Sequence, residues 1–440
     1  MTPGLKIECN WLARDTGDDV NRHFYSELGL AVADGWLTQL EDIPARTVRT
    51  HMRGSGYRLA QWLASNWWRL RWEPESPDPR SDHVWRQAHS VAAAGEGYIW
   101  PDVTFACDGE SVGISTNPSQ IPPPYESIRY LSQINTRIPA EEFEREVDLF
   151  MEGILSRIHS LNMHDDYLQA LWYEIVAERG DPGTARWRKL EALCGCDPDE
   201  APTQLIETLL KEQQTLGFSA IEEVAALGRQ TTNTLLDSIL GLLANLEIPS
   251  GGGFQGTMPT LQTTWIPNSD ARPWEQAANF AQHVRQDTGF GNKAITDTKL
   301  ADLLCTKASV FTDRSTTAVP MPIAFRTDAA GGFNLYFNSK WSTSRRFTSC
   351  RLLGDHLYRS DMERMLPATK VKTARQQFQR AFAQEFLCPF DALLEMIQTA
   401  QPGDDDIEEA AQHFGVSPQL VHTTLVNKGV LDRETLNWLF

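Results

Sequence analysis

The sequence lacks a long hydrophobic run. No uninterrupted apolar stretch in its 440 residues reaches the roughly 18–20 residues that span a lipid bilayer. Residues 1–19 have no apolar core behind a basic start, so no signal peptide is expected. Together these absences predict a cytoplasmic protein that has no membrane partner.

The sequence is also poor in cysteine and in familiar catalytic patterns. Its seven cysteines are odd in number and scattered, which indicates reduced thiols and not a disulfide framework. Cys194 and Cys196 are too close in sequence for the usual redox pair, and the glycines at 251–253 lack the Lys-Ser or Lys-Thr of a phosphate loop. No Gly-x-Ser-x-Gly, protein-kinase or Rossmann pattern occurs, and no cofactor is predicted.

Positive charge is scarce in the first part of the chain. The net charge is −18, and residues 1–256 carry 21 Lys and Arg against 38 Asp and Glu. Residues 257–440 carry 19 against 20 and are close to neutral. The first part should therefore repel nucleic acid and anionic membranes, whereas the last part need not.

The length of the chain predicts two or three domains. Composition and pattern predict a mainly α protein with small β elements, which is an α+β fold. We expect a Trp-rich α+β domain over 1–125, a helical domain over 126–248, a Gly/Pro linker over 249–268 and a C-terminal domain over 269–440. Dense tryptophans are compatible with a ligand-stacking surface, but they are more typical of the core of a small domain.

Hydrophobic periodicity predicts most elements within these domains. In the first two domains it predicts helices over 57–68, 139–158, 167–178, 185–193, 202–214 and 221–246, and strands over 98–106 and 110–115. In the last domain it predicts helices over 273–288, 297–305, 372–400, 405–414 and 418–427, and strands over 318–326 and 333–338. A further helix over 345–357 is expected from its motif, Arg346-Phe347-Thr348. His159 and the run His164-Asp165-Asp166 offer metal-ligand atoms, but paired aspartates before a helix are more typical of an N-terminal cap.

Four short motifs accompany this order of elements in the last domain. They are Arg346-Phe347-Thr348, Leu353-Gly354, the run from Phe382 to Pro389 and the tail from Ile407 to Ser417. Over roughly residues 270–440, this combination resembles the ImmA/IrrE family of metallopeptidases. The resemblance implies a zincin-like fold for the C-terminal domain.

In that family, the helix after Arg-Phe-Thr carries His-Glu-x-x-His. The two histidines bind one Zn²⁺, the glutamate acts as general base on the bound water, and a glutamate from the next helix is the third protein ligand. In that register the first histidine is Arg351, the glutamate is Leu352, the second histidine is Asp355, and the third ligand falls on Phe378. All four groups are lost, so we expect no catalytic residue, no metal site and no peptidase activity.

The replacements suggest a packed substitute for the metal. Arg351 and Asp355 are i, i+4 partners on a helix and are expected to form an ion pair. A guanidinium has no lone pair to offer a metal. Phe378 is expected to fill the space that the ion would have occupied.

Nine basic residues between 345 and 380 stand out in this acidic chain. Only Asp355, Asp361 and Glu363 oppose them. They form a candidate interaction surface, which consists of Arg345, Arg346, Arg351, Arg359, Arg364, Lys370, Lys372, Arg375 and Arg380. The favoured partner is another protein, such as a helix-turn-helix regulator or a subunit of a defence complex, or the chain's own acidic part. Nucleic acid is less favoured.

The tail at 410–421 reads like a helix-turn-helix. Its second helix, 419–426, has no Lys or Arg, and the five acids within 404–409 precede it, which DNA would disfavour. We therefore favour a non-catalytic, peptidase-derived regulatory or interaction protein of a bacterial stress, mobile-element or phage-defence system. The alternative is a nucleic-acid-binding transcriptional regulator or defence component that uses the 345–380 surface or the C-terminal helix pair. An enzyme with its site in the Trp-rich domain is a third hypothesis.

Overall fold

The fold is described by a computed structural model. It covers residues 4–15, 17–75, 82–120, 127–163, 166–244, 252–259, 261, 265–266, 272–317, 319, 321–327, 331–359, 363–397, 399 and 402–432. The structure is about 52% helical and 18% strand, which confirms a mixed α+β fold. Within these ranges, no helix is both long and apolar enough to cross a membrane. None of the seven cysteines, all of which lie in these ranges, forms a disulfide.

The chain forms two compact units. The N-terminal unit contains residues 1–207, 225–229 and 371–373, and the C-terminal unit contains residues 208–224, 230–370 and 374–440. The predicted division at residue 125 differs from this arrangement. One hydrophobic core runs from Leu5 to Ala192 and includes residues on both sides of 125.

The described part of the N-terminal unit contains three small antiparallel sheets. Their strands are β1 Leu5–Trp11, β2 Tyr25–Val32, β3 Gly35–Trp36, β4 Leu40–Asp42, β5 Thr47–Arg49, β6 Met52–Ser55, β7 Asp102–Cys107, β8 Ser111–Asn117, β9 Ile128–Tyr130 and β10 Ile134–Pro139. The first sheet has the order β1-β2-β3, and β6 also pairs with β2. The other two sheets have the orders β10-β8-β7 and β5-β4-β9. β7 and β8 match the predicted strand pair. Because β10 pairs with β8, this sheet crosses the predicted boundary.

Helices cover these sheets in the same unit. They are α1 Asp19–His23, α2 Gly56–Ser65, α3 Trp67–Trp72, α4 Asp82–His89, α5 Ala140–Ser160, α6 Tyr167–Gly180 and α7 Pro182–Leu193. The helix predicted over 57–68 is two helices, α2 and α3, and α3 continues through residues 69–72. The apolar residues of α5 recur about every four positions, so Phe143, Val147 and Ile154 lie on one buried face.

The tryptophans of this unit are mainly core residues, as expected. Those that are buried are Trp62, Trp67, Trp68, Trp85, Trp100 and Trp172. Trp67 stacks on Phe143 at 6.4 Å and meets Trp172 edge-on at 5.4 Å between ring centroids. Asp166 accepts a hydrogen bond from the Gln169 amide and caps α6, as predicted, whereas His164 and Asp165 lie outside the described residues.

The C-terminal unit is built on one antiparallel sheet of the order β11-β13-β12-β14. The strands are β11 Gly253–Thr257, β12 Ile323–Arg326, β13 Gly332–Tyr336 and β14 Met365–Pro367. β12 and β13 fall on the strands predicted over 318–326 and 333–338, and they pair with each other. The predicted linker at 249–268 instead contains β11, which pairs with β13. A Cβ on Gly256 of this strand would lie 2.4 Å from the Leu304 carbonyl oxygen. Glycine there permits a close approach of two backbones.

From residue 203 onward, most of the described elements are helices. They are α8 Thr203–Leu216, α9 Phe218–Ala225, α10 Arg229–Ala244, α11 Pro273–Asp287, α12 Asp297–Leu303, α13 Ser309–Thr312, α14 Ser342–Tyr358, α15 Ala374–Leu387, α16 Phe390–Met396, α17 Asp404–Phe414 and α18 Pro418–Asn427. The helix predicted over 221–246 is two helices, separated at Gly228, whose φ is 88°. The helix predicted over 372–400 ends before Pro389, which lacks an amide hydrogen and precedes α16.

The α14–α15 contact positions the candidate site. α15 packs against both α11 and α14 in a core that contains Phe280, Leu352, Phe382 and Phe386. Gly354 allows α14 to come close to α15, since a Cβ there would lie 2.4 Å from a carbon of the Phe382 ring. Polar residues on these two helices are therefore brought together inside the unit.

Candidate functional site

Arg345, in the first turns of α14, is a buried structural cation. Its Nε donates to the Ser339 carbonyl (2.8 Å), its Nη1 to the Val310 carbonyl (2.6 Å) and its Nη2 to the Ser315 carbonyl. Only 1% of the residue is exposed. Because it binds three separate segments, Arg345 fixes the loops around the start of α14.

Arg346 is a second buried tie, between α14 and the end of α17. Its Nε donates to the Gly415 carbonyl (2.9 Å), and its Nη2 donates to the carbonyls of Ile295 (2.6 Å) and Phe414 (3.3 Å). Its Nη1 pairs with Asp297. The carbonyls at the end of a helix have no partner inside the helix, so Arg346 satisfies groups that α17 leaves open.

Arg351, at the first histidine position, lies among neutral acceptors. Its Nη2 donates to Gln376 Oε1 (2.5 Å) and to the Thr369 carbonyl (2.8 Å), while its buried Nε has no hydrogen-bond partner among the described residues. Burial lowers the pKa of Arg351, the charge of Arg380 lowers it further, and Asp355 opposes both effects. A guanidinium keeps its proton at neutral pH, so Arg351 is a buried cation.

Asp355, at the second histidine position, is fully buried and paired with Arg375 of α15. The Nε of Arg375 donates to both carboxylate oxygens (3.0 and 3.1 Å) and its Nη2 donates to one of them (2.5 Å). Burial alone would lower the pKa of Arg375, but the charge of Asp355 and the hydrogen bonds to it raise the pKa above its usual value. Charge-assisted contacts of this forked kind are the strong ones.

Glu363 connects this pair to the start of α9. Its carboxylate accepts hydrogen bonds from the amides of Ser219 (3.1 Å) and Ala220 (3.0 Å) and lies 3.3 Å from Nη1 of Arg375. First-turn amides lack a partner inside their own helix, and a carboxylate near them is favoured by the helix dipole. Ser219 Oγ also accepts from Arg375 at 3.0 Å. Residues on α9, α14 and α15 thus share one polar network.

The predicted ion pair between Arg351 and Asp355 is wrong. Asp355 pairs with Arg375, and Arg351 pairs with Gln376 and a backbone carbonyl. The reason is geometric, since an arginine from a facing helix can present two N–H groups to a carboxylate. The i+4 partner of Asp355 is Arg359, whose Nε lies 3.9 Å away.

Phe378 faces a different part of the core from the one expected. Its ring stacks on Tyr358 with centroids 4.2 Å apart and contacts Phe280 at 6.2 Å. α15 turns Arg375, and not Phe378, toward Asp355. The expectation that Phe378 fills the space of the ion is corrected accordingly: it fills an aromatic cluster of α11, α14 and α15.

The side chains at the ligand positions do not fit zinc. A protein zinc site needs several nitrogen, sulfur or oxygen lone pairs in a tetrahedral arrangement. Arg351 has none, Leu352 is apolar and completely buried, and both oxygens of Asp355 accept hydrogen bonds from Arg375. In the described ranges, no three His, Cys, Asp or Glu side chains come close enough to hold a metal ion.

Only part of the predicted interaction surface lies on the surface. The four buried residues are Arg345, Arg346, Arg351 and Arg375. The two half-buried residues are Arg359 and Arg380, and the three exposed residues are Arg364, Lys370 and Lys372. The prediction is therefore wrong for the four buried arginines, whose donors bind carbonyls, a glutamine and carboxylates inside the protein. Asp361, counted among the opposing acids, lies outside the described residues.

The C-terminal helix pair does not present a recognition helix. Gly415, with a φ of 64°, ends α17, and Ser417 caps α18. Half of the ten residues of α18 are buried, namely Val421, His422, Thr424, Leu425 and Val426, and the exposed ones include no Lys or Arg. A recognition helix must expose several side chains to reach base edges, so this geometry does not favour DNA reading.

Several residues of this polar network were not predicted from the sequence. Arg375 was assigned to a surface, Glu363 was counted only as an opposing charge, and Ser219 was not singled out. Glu363 caps a helix that lies 144 residues earlier in the chain, and no local pattern encodes such a contact. Gln376 lies two residues before the third ligand position, Phe378, but its hydrogen bond with Arg351 was not predicted.

No protein-family model matches this chain, and no curated protein matches it either. The resemblance to the ImmA/IrrE family therefore stays a prediction from the sequence motifs.

Proposed function

We propose that this chain is a non-catalytic, peptidase-derived regulatory or interaction protein of a bacterial stress, mobile-element or phage-defence system. The proposal rests on the resemblance to the ImmA/IrrE family. The main observation in its support is that the side chains at the ligand positions make contacts inside the protein. Arg351 binds Gln376 and Thr369, and Asp355 binds Arg375, so these side chains are occupied in holding helices together.

The same network explains how a peptidase-like domain could be retained without its chemistry. A zinc ion that bridges two helices also stabilises them, and its loss would leave a polar gap in the interior. The Asp355–Arg375 pair bridges α14 and α15 directly, and Glu363 extends the bridge to α9. The domain then supplies a stable surface on which a partner can bind.

Among possible partners, a protein is better supported than duplex DNA. Half of the second helix of the C-terminal pair is buried, and α17 begins with Asp404, Asp405 and Asp406. Carboxylates near a DNA backbone oppose binding. The exposed cations Arg364 and Lys370 suit an acidic protein surface, which a helix-turn-helix regulator or a defence-complex subunit could provide.

Affinity purification of the full-length chain from its native host, after mild crosslinking, tests this proposal. We expect an intact partner protein, and we expect the Arg364→Glu/Lys370→Glu double variant to recover several-fold less of it, because charges at an interface rim change association. Lys299→Glu, an exposed charge reversal on α12 of the same unit, is the matched control and should recover as much partner as the wild type.

Two results would overturn the proposal. One is a partner that accumulates in a shortened form in a host with the wild-type chain and in full length in a host without the chain. The other is equal recovery with the double variant and the wild type, which would remove Arg364 and Lys370 from the interface.

A further inference from the structure

An indole side chain projects from the C-terminal unit at the start of α14. Trp341 is 65% exposed, among the most exposed large apolar side chains in the described residues. The ammonium group of Lys340 lies 5.3 Å from the centroid of its ring. Tryptophan is among the side chains that are most enriched in binding hot spots, so an indole left in water marks a candidate contact.

The buried Arg345 holds three short segments together near the start of α14. Its guanidinium donates to the carbonyls of Val310, Ser315 and Ser339. Ser339 is two residues before Trp341, and each of the other two segments carries a cation near the bound carbonyl. The exposed edge of the unit that results is called the Trp341 patch here, and it consists of Lys307, Arg314, Lys340 and Trp341.

All three cations of the Trp341 patch are exposed. Lys307 lies one turn before Val310, and the Val310 amide donates to the Lys307 carbonyl at 3.1 Å. Arg314 directly precedes Ser315. The neighbouring acid, Asp313, accepts hydrogen bonds from the amide (2.9 Å) and hydroxyl (2.6 Å) of Ser315. The first turn of α14 has no acidic residue. Three cations against one acid make this edge locally positive in a chain of net charge −18.

We infer that the Trp341 patch binds single-stranded nucleic acid. Proteins that bind unpaired strands combine aromatic side chains, on which bases stack, with cations that follow the phosphates. A duplex is disfavoured, because its bases are already stacked on one another and cannot reach a projecting indole. The carboxylates of an acidic peptide would use the cations, but they have no flat face that stacks on an indole as a base does.

This inference is independent of the proposed function. It uses none of the nine basic residues between 345 and 380 as a contact, because Arg345 acts from inside by holding the loops. The partner-protein experiment can fail while the Trp341 patch binds a strand, and the reverse also holds.

Fluorescence anisotropy with the full-length protein and a labelled mixed-sequence 12-nucleotide strand, as DNA and as RNA, tests the inference. We expect saturable binding to one or both strands and weaker binding to the matching DNA duplex. If three phosphates are contacted, the logarithm of the binding constant should fall with the logarithm of salt with a slope of about −2.

Substitutions separate stacking from charge. Trp341→Ala should weaken binding about 5- to 100-fold, because one stacked base is lost, whereas Trp341→Phe should keep most of the affinity. Arg314→Glu should reduce the magnitude of the salt slope by about 1. Tyr167→Ala, which removes a 62% exposed aromatic side chain from the N-terminal unit, is the matched control and should bind like the wild type.

Trp341 and Arg314 are exposed, so their variants should fold, which circular dichroism checks. The inference is overturned if the wild type binds neither strand at low salt, if it binds duplex as tightly, or if Trp341→Ala has no more effect than Tyr167→Ala. It is also overturned if polyglutamate binds with the same dependence on Trp341, since the patch would then be a site for acidic protein.

Discussion

Replacing Asp355 with alanine should destabilise the C-terminal unit by about 3–5 kcal/mol. The substitution leaves Arg375, which is 2% exposed, as a buried cation without its main partner. Unfolding of a two-unit chain is not two-state, so hydrogen exchange of peptides from α14 and α15 is the suitable measurement. We expect these peptides to lose protection, while peptides from β7 and β8 of the N-terminal unit stay unchanged.

Two further variants show that the buried charge is the cause. The double variant Asp355→Leu/Arg375→Met removes both charges and should recover much of the lost stability, because a buried pair exchanged for apolar groups is often close to neutral. Arg86→Ala breaks the exposed pair with Asp102 and should cost no more than about 1 kcal/mol. An Asp355→Ala effect as small as that of Arg86→Ala would contradict the pairing described here.

Gly354→Ala should destabilise the same unit by about 1–3 kcal/mol, although alanine is the better helix former. The new Cβ would lie 2.4, 2.5 and 3.0 Å from three carbons of the Phe382 ring, so one helix must shift. A shift would also strain the Asp355–Arg375 contact one residue further along α14. Urea denaturation followed by hydrogen exchange of α15 would measure this loss.

The matched control is Gly153→Ala on α5. Gly153 is also a helical glycine, but nothing lies within 4 Å of the Cβ it would gain. This variant should stabilise the chain by about 0.5–1 kcal/mol through helix propensity alone. Phe382→Leu should rescue part of the Gly354→Ala defect. A Gly354→Ala variant that is as stable as the wild type would show that α14 and α15 are further apart than described.

Local sequence patterns predicted the elements that local interactions determine. α5 and the strands β12 and β13 follow from the spacing of apolar residues, and α5 and β13 were placed to within a few residues. α14 was expected from its Arg-Phe-Thr motif. β11 was missed because glycine-rich sequence is typical of linkers, whereas Gly256 is needed for a close approach to the Leu304 carbonyl. β10 was missed because its pairing with β8 depends on a strand from beyond an expected boundary.

The polar network could be predicted only in part. The sequence indicates that Arg351 and Asp355 stand at ligand positions of the resembled family and lie one turn apart on a helix. It does not reveal which arginine reaches Asp355, because that choice depends on how closely α15 approaches α14. Arg345 and Arg364 are the same type of residue, yet Arg345 is buried and donates to three carbonyls, whereas Arg364 is exposed. A count of charged residues along a sequence therefore overestimates how many of them lie on the surface.

The metal content of the purified full-length protein tests the central claim most directly. After removal of any affinity tag, the protein is loaded with zinc, dialysed without chelator, and measured by plasma mass spectrometry. Because Arg375 and Gln376 occupy Asp355 and Arg351, we predict far less than one zinc per chain, with no difference between the wild type and Asp355→Ala. One zinc per chain that survives dialysis and is lost in a folded Asp355→Ala variant would contradict the account.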